Sequence, residues 1–511
     1  MARRIRYAFF FLFLLSEFTY SQSSEVVFLQ MNDVYEIAPV EGGKFGGLAR
    51  VSTLKQELQK ANPHTYMVLS GDFISPSALS TSEYNGEKIN GAQMIDVLNY
   101  MGLDFVTFGN HEFDYKKEVL QKRIDESRFS WVAANVKTNR GDALWKFGKN
   151  VSGEFAGFPE YVIIKVPGVT GNDIRIGITG ICTKNNQQPY VVYEDYNTSA
   201  RRIYESIKDS IDCFIAMTHL AIEDDRLLAG AMPQISLIMG GHEHLNNLEH
   251  IGSTIIAKAD ANAKSVYIHK LVFDINNKLV EIKSELVNVD SQVREDAKTK
   301  ELVDIWVDRA YAGFRSKGFE PGELVGVANV PLDGRDESIR YMPTNLGELI
   351  ASAMLAVSKN SEFAILNSGS VRIDDEVKGE ITQYDIIRML PFGGKIIEVE
   401  LKGSLLLKLL ETGVADSGSG GYLQYAGLRH SRDGGKWIYG NDETNIVTPQ
   451  GTYKASVAAY LLTGLEQNMQ FFTKDNPEII KITEPDANYN NDLRNDVRRA
   501  LIQYMKNGGL K

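Results

Sequence analysis

Gly109-Asn110-His111-Glu112-Phe113-Asp114 follows directly on the apolar run 105–108. A β-rich segment therefore ends in a glycine and then in side chains that bind metals or move protons. Glycine lets the backbone turn tightly at a strand end. The same arrangement recurs on either side of this stretch. The run 26–29 leads to Asn32-Asp33, 66–69 to Gly71-Asp72, 213–217 to Thr218-His219, and 235–239 to Gly240-Gly241-His242-Glu243-His244. Segments of helical periodicity, 48–59 and 92–100, lie between some of these runs. Short apolar strands alternating with helices predict an α/β fold with a largely parallel, buried sheet. Ligands of such sheets sit beyond the carboxyl ends of the strands. The chain has eight His, and four of them fall at these five strand ends. One such His reads as a satisfied core group. Five ends that all deliver Asp, Asn or His read as one site.

The residue types are chemically coherent. Asp33, Asp72, Asn110, His219, His242 and His244 offer oxygen and nitrogen ligands, a set suited to Zn, Mn, Fe or Co rather than to Ca or a thiolate-loving metal. In an extended segment residues two apart face the same side. That spacing places His242 beside His244 and Asp33 beside Tyr35, with Glu36 on the opposite face.

The 511 residues allow two large domains. The balance of apolar and charged residues is that of a soluble globular protein, which excludes a disordered or collagen-like chain. A net charge of −11 gives no attraction for nucleic acid or anionic lipid. Two cysteines, Cys182 and Cys213, exclude a Cys-rich zinc site and leave open either one disulfide or two buried thiols. Arg3, Arg4 and Arg6, the apolar run 8–15 and the small or polar residues that follow form the pattern of a cleaved secretory leader over 1–22. The run is too short to span a bilayer, and residues 504–511 carry no hydrophobic tail. The expectation is an exported protein, periplasmic or extracellular, with no stable membrane insertion. Val303, Trp306, Val307, Ala310, Tyr311 and Phe314 recur at helical spacing, which predicts a linking helix within 291–320 between domains at 23–290 and 321–511.

The series Gly71-Asp72, Asn110-His111-Glu112-Phe113-Asp114, His219 and Gly240-Gly241-His242-Glu243-His244 resembles the calcineurin-like metallophosphoesterases. Its order, with Gly46-Gly47-Leu48-Ala49-Arg50, resembles more narrowly the secreted 5′-nucleotidase family, which includes UDP-sugar hydrolases and 2′,3′-cyclic phosphodiesterases. Thr344-Asn345-Leu346-Gly347, Asn367-Ser368-Gly369-Ser370-Val371-Arg372 and Pro391-Phe392-Gly393-Gly394 resemble blocks of that family's C-terminal domain. The resemblance implies a four-layer α/β/β/α metallophosphoesterase domain joined by a helix to a smaller α/β nucleotidase domain.

It also implies two metal ions, divalent or of mixed valence. Asp33, Asp72 and His244 match one ligand set, and Asp72, Asn110, His219 and His242 the other, with Asp72 bridging. Two such ions clamp the attacking and leaving oxygens of an in-line displacement, with a metal-bridging hydroxide as nucleophile. His111 matches the catalytic His and Asp114 the acid that orients it. Asn367, Gly369, Arg372 and Phe392 match substrate-binding positions, and Tyr460 stands where a second stacking aromatic is expected. Arg335 and Arg340 precede the Thr344 block, and Arg pairs phosphate bidentately.

The chain departs from the family pattern at three places. Tyr35 stands in place of a His, Gly394 in place of an Asn, and Gly464-Leu465-Glu466-Gln467-Asn468 in place of a Gly-Gly-Asp-Gly-Tyr loop. A phenol of ordinary pKa about 10 ligates at neutral pH only to a strongly acidic cation, so two readings of Tyr35 stay open: a ligand of Fe(III) at the Asp33 site, or a side chain that packs or hydrogen-bonds beside a site completed by water. The reading is a phosphohydrolase acting on nucleoside 5′-monophosphates or similar small phosphomonoesters. The alternatives keep the centre and change the ester to a 2′,3′-cyclic phosphodiester, a UDP-sugar pyrophosphate or a sulfur ester, or leave a nucleotide-binding protein with a defective metal site. Oligomeric state is left open.

Overall fold

The computed structural model describes residues 23–141, 143–186, 188–431, 435–486 and 491–510. The expected leader, 1–22, lies outside the described residues. In the first half the strands that build the scaffold are β1 (Ser24–Met31), β2 (Thr65–Ser70), β3 (Phe105–Thr107), β4 (Ser130–Trp131), β5 (Tyr161–Pro167), β6 (Asp173–Cys182), β7 (Cys213–His219), β8 (Ile235–Gly240), β9 (Asn247–Ile251), β10 (Thr254–Lys258), β11 (Ser265–Phe273) and β12 (Leu279–Asn288). They form two six-stranded sheets, β12-β11-β1-β2-β3-β4 and β5-β6-β7-β8-β10-β9. The expectation of one largely parallel sheet is corrected by this pairing. Each sheet has a parallel centre, β1-β2-β3-β4 or β6-β7-β8-β10, flanked by antiparallel strands. The flanking strands return through short connections, which only antiparallel pairing permits.

Side chains alternate across a strand, and this alternation builds the layers. Val26 and Phe28 of β1 enter a core shared with Ile176, Ile178, Ile215, Met217 and Leu237 of the facing sheet. Val27, Leu29 and Met31 point the other way, under helices α1 (Leu48–Ala61) and α2 (Ala92–Met101). The second sheet is covered in turn by α3 (Tyr196–Ile207) and α4 (Ile222–Ala231), through Ile203, Ile207 and Leu228. The result is the four-layer α/β/β/α arrangement. Each fully buried Val, Leu, Ile or Phe contributes about 1.5–3 kcal/mol, so the strand ends that carry the site are held by rigid packing.

Helix α5 (Ala297–Ser316) follows. Asp296 caps it by accepting the Thr299 N–H at 2.8 Å, so the helix begins at Ala297. Its predicted face packs inward: Val303, Ala310 and Phe314 are buried, and Trp306, Val307 and Tyr311 lie against the same core. The second half contributes β13 (Leu324–Asp333), β14 (Phe363–Asn367), β15 (Glu376–Thr382), β16 (Ile396–Lys402), β17 (Leu423–Ala426), β18 (Thr452–Ala458) and β19 (Ile479–Thr483). A sheet β17-β14-β18-β16-β19 and a ribbon β13-β15 result. Thr344 caps α6 (Asn345–Val357) through the Gly347 N–H at 3.1 Å. A Cβ at Gly347 would meet Gln424 at 2.1 Å, so the Thr-Asn-Leu-Gly block here starts a helix and seats it on the sheet. One apolar core runs from α1 through Phe314 to Leu346 and Ile386. Across the seam, the Tyr384 hydroxyl donates to Glu36 at 3.1 Å. Cys182 and Cys213 are both buried free thiols.

Candidate metal centre and catalytic site

The five strand ends converge where the two sheets meet. Asp33, Asp72, His242 and His244 all sit at positive φ, of 53°, 54°, 93° and 60°. Non-glycine residues rarely adopt this left-handed backbone, which costs of order 1 kcal/mol or more at each position. The expectation that an extended chain places His242 and His244 side by side is therefore corrected. Their left-handed turns send them to different groups of ligands.

Asp72, His219 and His242 bring ligand atoms within 4.8 Å of one another. His219 Nε2 lies 3.0 Å from Asp72 Oδ2 and 3.8 Å from Asp33 Oδ1. His244 Nε2 lies 3.4 Å from Asp33 Oδ1. The Tyr35 hydroxyl reaches the same space, 2.9 Å from His244 Nε2, 3.3 Å from Asp33 Oδ1 and 3.4 Å from Asp72 Oδ2. Each carboxylate has one oxygen tied elsewhere. Asp33 Oδ2 accepts from Asn32 Nδ2 and the His242 N–H, both at 2.8 Å, and Asp72 Oδ1 accepts from the His111 N–H at 2.7 Å. The second oxygen of each faces the centre.

His219 Nδ1–H donates to the Ser70 carbonyl at 2.8 Å, which leaves the Nε2 lone pair turned inward. Asn110 Oδ1 is buried without a hydrogen-bond partner, and His219 Nε2 faces only the carboxylates of Asp72 and Asp33. An imidazole nitrogen turned onto two carboxylates and a buried amide oxygen with no partner are a mixed nitrogen and oxygen set that fits metal ions, since buried polar atoms are otherwise satisfied.

The electrostatics agree. Burial opposes charge on His219, but Asp72 and Asp33 raise its pKa to about 9. Burial, and then the neighbouring His219, lower His242 to about 3. Burial also opposes charge on Asp33, yet His219 and His244 hold its carboxyl below the usual range. Burial and the Asp72 and Asp33 charges push the Tyr35 phenol well above its ordinary value. A cation bound among these groups takes the place of the His219 proton.

Beside the cluster, His111 Nδ1 lies 2.8 Å from Asp114 Oδ2. Asp114 is itself held by Ser75 Oγ and Asn186 Nδ2, each at 2.9 Å. Burial works against a charged His111, but Asp114 and Asp72 raise its pKa.

Sequence reasoning gave no role to several residues that shape this region. Glu112 is buried and accepts four backbone N–H groups, from Gly109, Phe73, Asp72 and Ile74, at 2.7–3.2 Å. It thereby locks the Gly71-Asp72 turn to the Asn110 turn. Gly109 passes so close that a Cβ there would lie 2.1 Å from Asp72 Oδ1. Buried Lys258 binds Asp225 at 2.8 Å, the carbonyls of Leu220 and Gly241 at 2.7 and 2.8 Å, and the Glu243 carboxylate, fixing the loop that carries His242 and His244. Asp374, from the second half, meets His244 Nδ1. Glu112 stood within the quoted motif; Asp374 carried no signal.

The expected substrate residues divide into two groups. Phe392 is 58% exposed and Tyr460 45% exposed, so both rings present open faces rather than core. The Arg372 guanidinium lies 5.8 Å from the centre of the Phe392 ring, and its Nε is buried without a partner. Arg372 and Tyr35 line one small cavity at the seam. Asn367 donates to Glu466 at 2.6 Å, and the Gly369 backbone abuts Gly420. Arg335 is instead spent on Asp333, Glu337 and Glu376 at 2.9–3.3 Å, and Arg340 on Asp336. Carboxylates supplied by their own and a neighbouring segment pair with both, and Asp336, the partner of Arg340, lies in one group with His244 and Asp374.

This fold and centre define a metal-dependent phosphoric ester hydrolase. Residues 26–246 match the calcineurin-like phosphoesterase family, and residues 324–474 match the 5′-nucleotidase C-terminal domain. The chain belongs to the 5′-nucleotidase family, in which those two domains are joined. It is 27% identical over 425 residues to the 5′-nucleotidase of Bos taurus, covering 75% of this chain and 69% of that protein. It is 28% identical over 419 residues to the trifunctional nucleotide phosphoesterase protein YfkN of Bacillus subtilis (strain 168), covering 75% of this chain but only 28% of that longer protein. The crystal structure of a 5′-nucleotidase precursor from Thermus thermophilus has the same fold, with a TM-score of 0.73 over 95% of this chain and 96% of that one at 22% identity.

Proposed function

We propose that this protein is an exported dimetal phosphohydrolase that releases phosphate from nucleoside 5′-monophosphates or similar phosphomonoesters. The observation that carries the reading is the buried His219 Nε2 turned onto the inward oxygens of Asp33 and Asp72, together with the buried Asn110 Oδ1 that has no hydrogen-bond partner. Asp33, Asp72 and His244, with Tyr35 beside them, would hold one ion, and Asp72, Asn110, His219 and His242 the other. Zn, Mn, Co or Fe ions there supply Lewis acidity and a nucleophile at neutral pH.

The chain's own residues do the rest. Asp114 holds the His111 ring by Nδ1, so that Nε2 presents a proton to the phosphoryl group or to the leaving oxygen. Arg372 carries positive charge toward the same cleft, and Phe392 and Tyr460 offer faces for a base. Export rests on the leader pattern of 1–22. Among the described residues no helix is long and apolar enough to cross a membrane.

The test is metal analysis of the purified protein together with hydrolysis of AMP, UDP-glucose and 2′,3′-cyclic AMP. Two ions per chain and fastest release from AMP are expected. Preference for either of the other esters moves the substrate assignment but keeps the centre.

Phe392→Ala is expected to raise KM for nucleotides and to leave a small aryl phosphate almost unchanged. Stacking on a base is worth about 1–3 kcal/mol, a factor of roughly 5–150 in KM. A variant with unaltered KM for every nucleotide places the base elsewhere.

Tyr35 is tested by colour. Loading with Fe(III) is expected to give a tyrosinate charge-transfer band in the visible that Tyr35→Phe lacks, whereas Zn(II)-loaded protein is colourless. Iron-loaded wild type without the band removes Tyr35 from the ligand set and leaves it as a hydrogen-bonding phenol.

A further inference from the structure

We propose that Asp374, from the second half of the chain, is a positioning residue for the metal ion at the Asp33 site. The proposal rests on the dimetal reading above. An imidazole that offers its Nε2 lone pair to a cation must carry its proton on Nδ1, and the acceptor of that proton sets the tautomer and the plane of the ring. His219 finds such an acceptor in its own half, the Ser70 carbonyl. His244 does not: its Nε2 faces Asp33 and Tyr35, and its Nδ1 is hydrogen-bonded to the Asp374 carboxylate.

Asp374 is itself fixed. Its backbone is left-handed, with φ 40°, and its other oxygen accepts the Asp336 N–H at 2.7 Å. The Asp336 carboxylate is paired with Arg340. The next residue, Asp375, lies 3.8 Å from Lys264 of the first half and 4.0 Å from Arg388 of the second. The turn is therefore anchored on both sides of the seam. Arg340 thus gains a place in the site, by holding the residue that holds Asp374 rather than by touching phosphate.

The arrangement couples the two halves. An ion at the Asp33 site needs His244 in one orientation, and the second half supplies that orientation. By linkage, occupancy of this site and docking of the second half strengthen each other by the same factor.

Chelator competition decides it. Full-length wild type, Asp374→Ala and Asp374→Asn are loaded with Zn(II), exposed to graded chelator, and their retained ions counted by atomic emission. Wild type is expected to lose its two ions over one range. Asp374→Ala should release one ion at roughly 10–100-fold lower chelator while the other stays as in wild type. Asp374→Asn should shift the same ion in the same direction by less, because its amide oxygen still accepts from Nδ1. Should the alanine variant fail to fold, the near-isosteric asparagine variant decides alone.

Two-ion wild type with both variants unchanged, or with both ions weakened equally, overturns the proposal and leaves the dimetal reading intact. Wild type that binds no ion overturns both.

Discussion

Asp72→Asn is expected to leave a folded protein whose turnover has fallen by at least about 10²–10³-fold, the loss that follows removal of one preorganised electrostatic contact in a dry site. Asp72 is the shared residue of the centre. One oxygen accepts the His111 N–H, and the other faces His219 and Tyr35. Asparagine retains an oxygen for the His111 N–H, so the turn that Glu112 clamps keeps its geometry. It removes the negative charge that both ions would share. Metal content should fall below two per chain at ordinary chelator levels, with circular dichroism unchanged. Near-normal hydrolysis by this variant would end the dimetal reading, because that reading gives Asp72 to both ions.

His111→Ala is expected to lower kcat by about 10²–10⁴, the usual contribution of a positioned general acid or base, while KM changes little. His111 lies beside the cluster rather than within it, and its ring is held from outside by Asp114, which Ser75 and Asn186 hold in turn. Metal content should therefore match wild type, which separates this variant from Asp72→Asn. Asp114→Asn should fall in between, since an amide oxygen still accepts from Nδ1 but no longer supports positive charge on the ring. Steady-state kinetics with AMP and an aryl phosphate check all three. A rise in KM with kcat preserved would make His111 a binding residue instead.

Much of this site was legible because its parts are local. A strand followed by a glycine and then by Asp, Asn or His is written in adjacent residues, and the helical spacing along α5 is written in the same way. Period and neighbour chemistry therefore sufficed to place Asp33, Asp72, Asn110, His111, Asp114, His219, His242 and His244 at the ends of buried strands, and the motif series named the family.

Other features had no local signature. The antiparallel flanks and the division into two sheets follow from which strands find each other. The left-handed turns that separate His242 from His244 reverse what an extended chain would do. The carboxylates that pair with Arg335 and Arg340 were likewise set against them only by folding. His244 and Asp374 are 130 residues apart, and nothing around either announces the other. Ligand types, their strand-end positions and the family of the chain could be read from the residues alone, because those reside in short-range pattern. Which atom faces which emerged from the folded chain, because it depends on how two independently patterned halves pack along one seam.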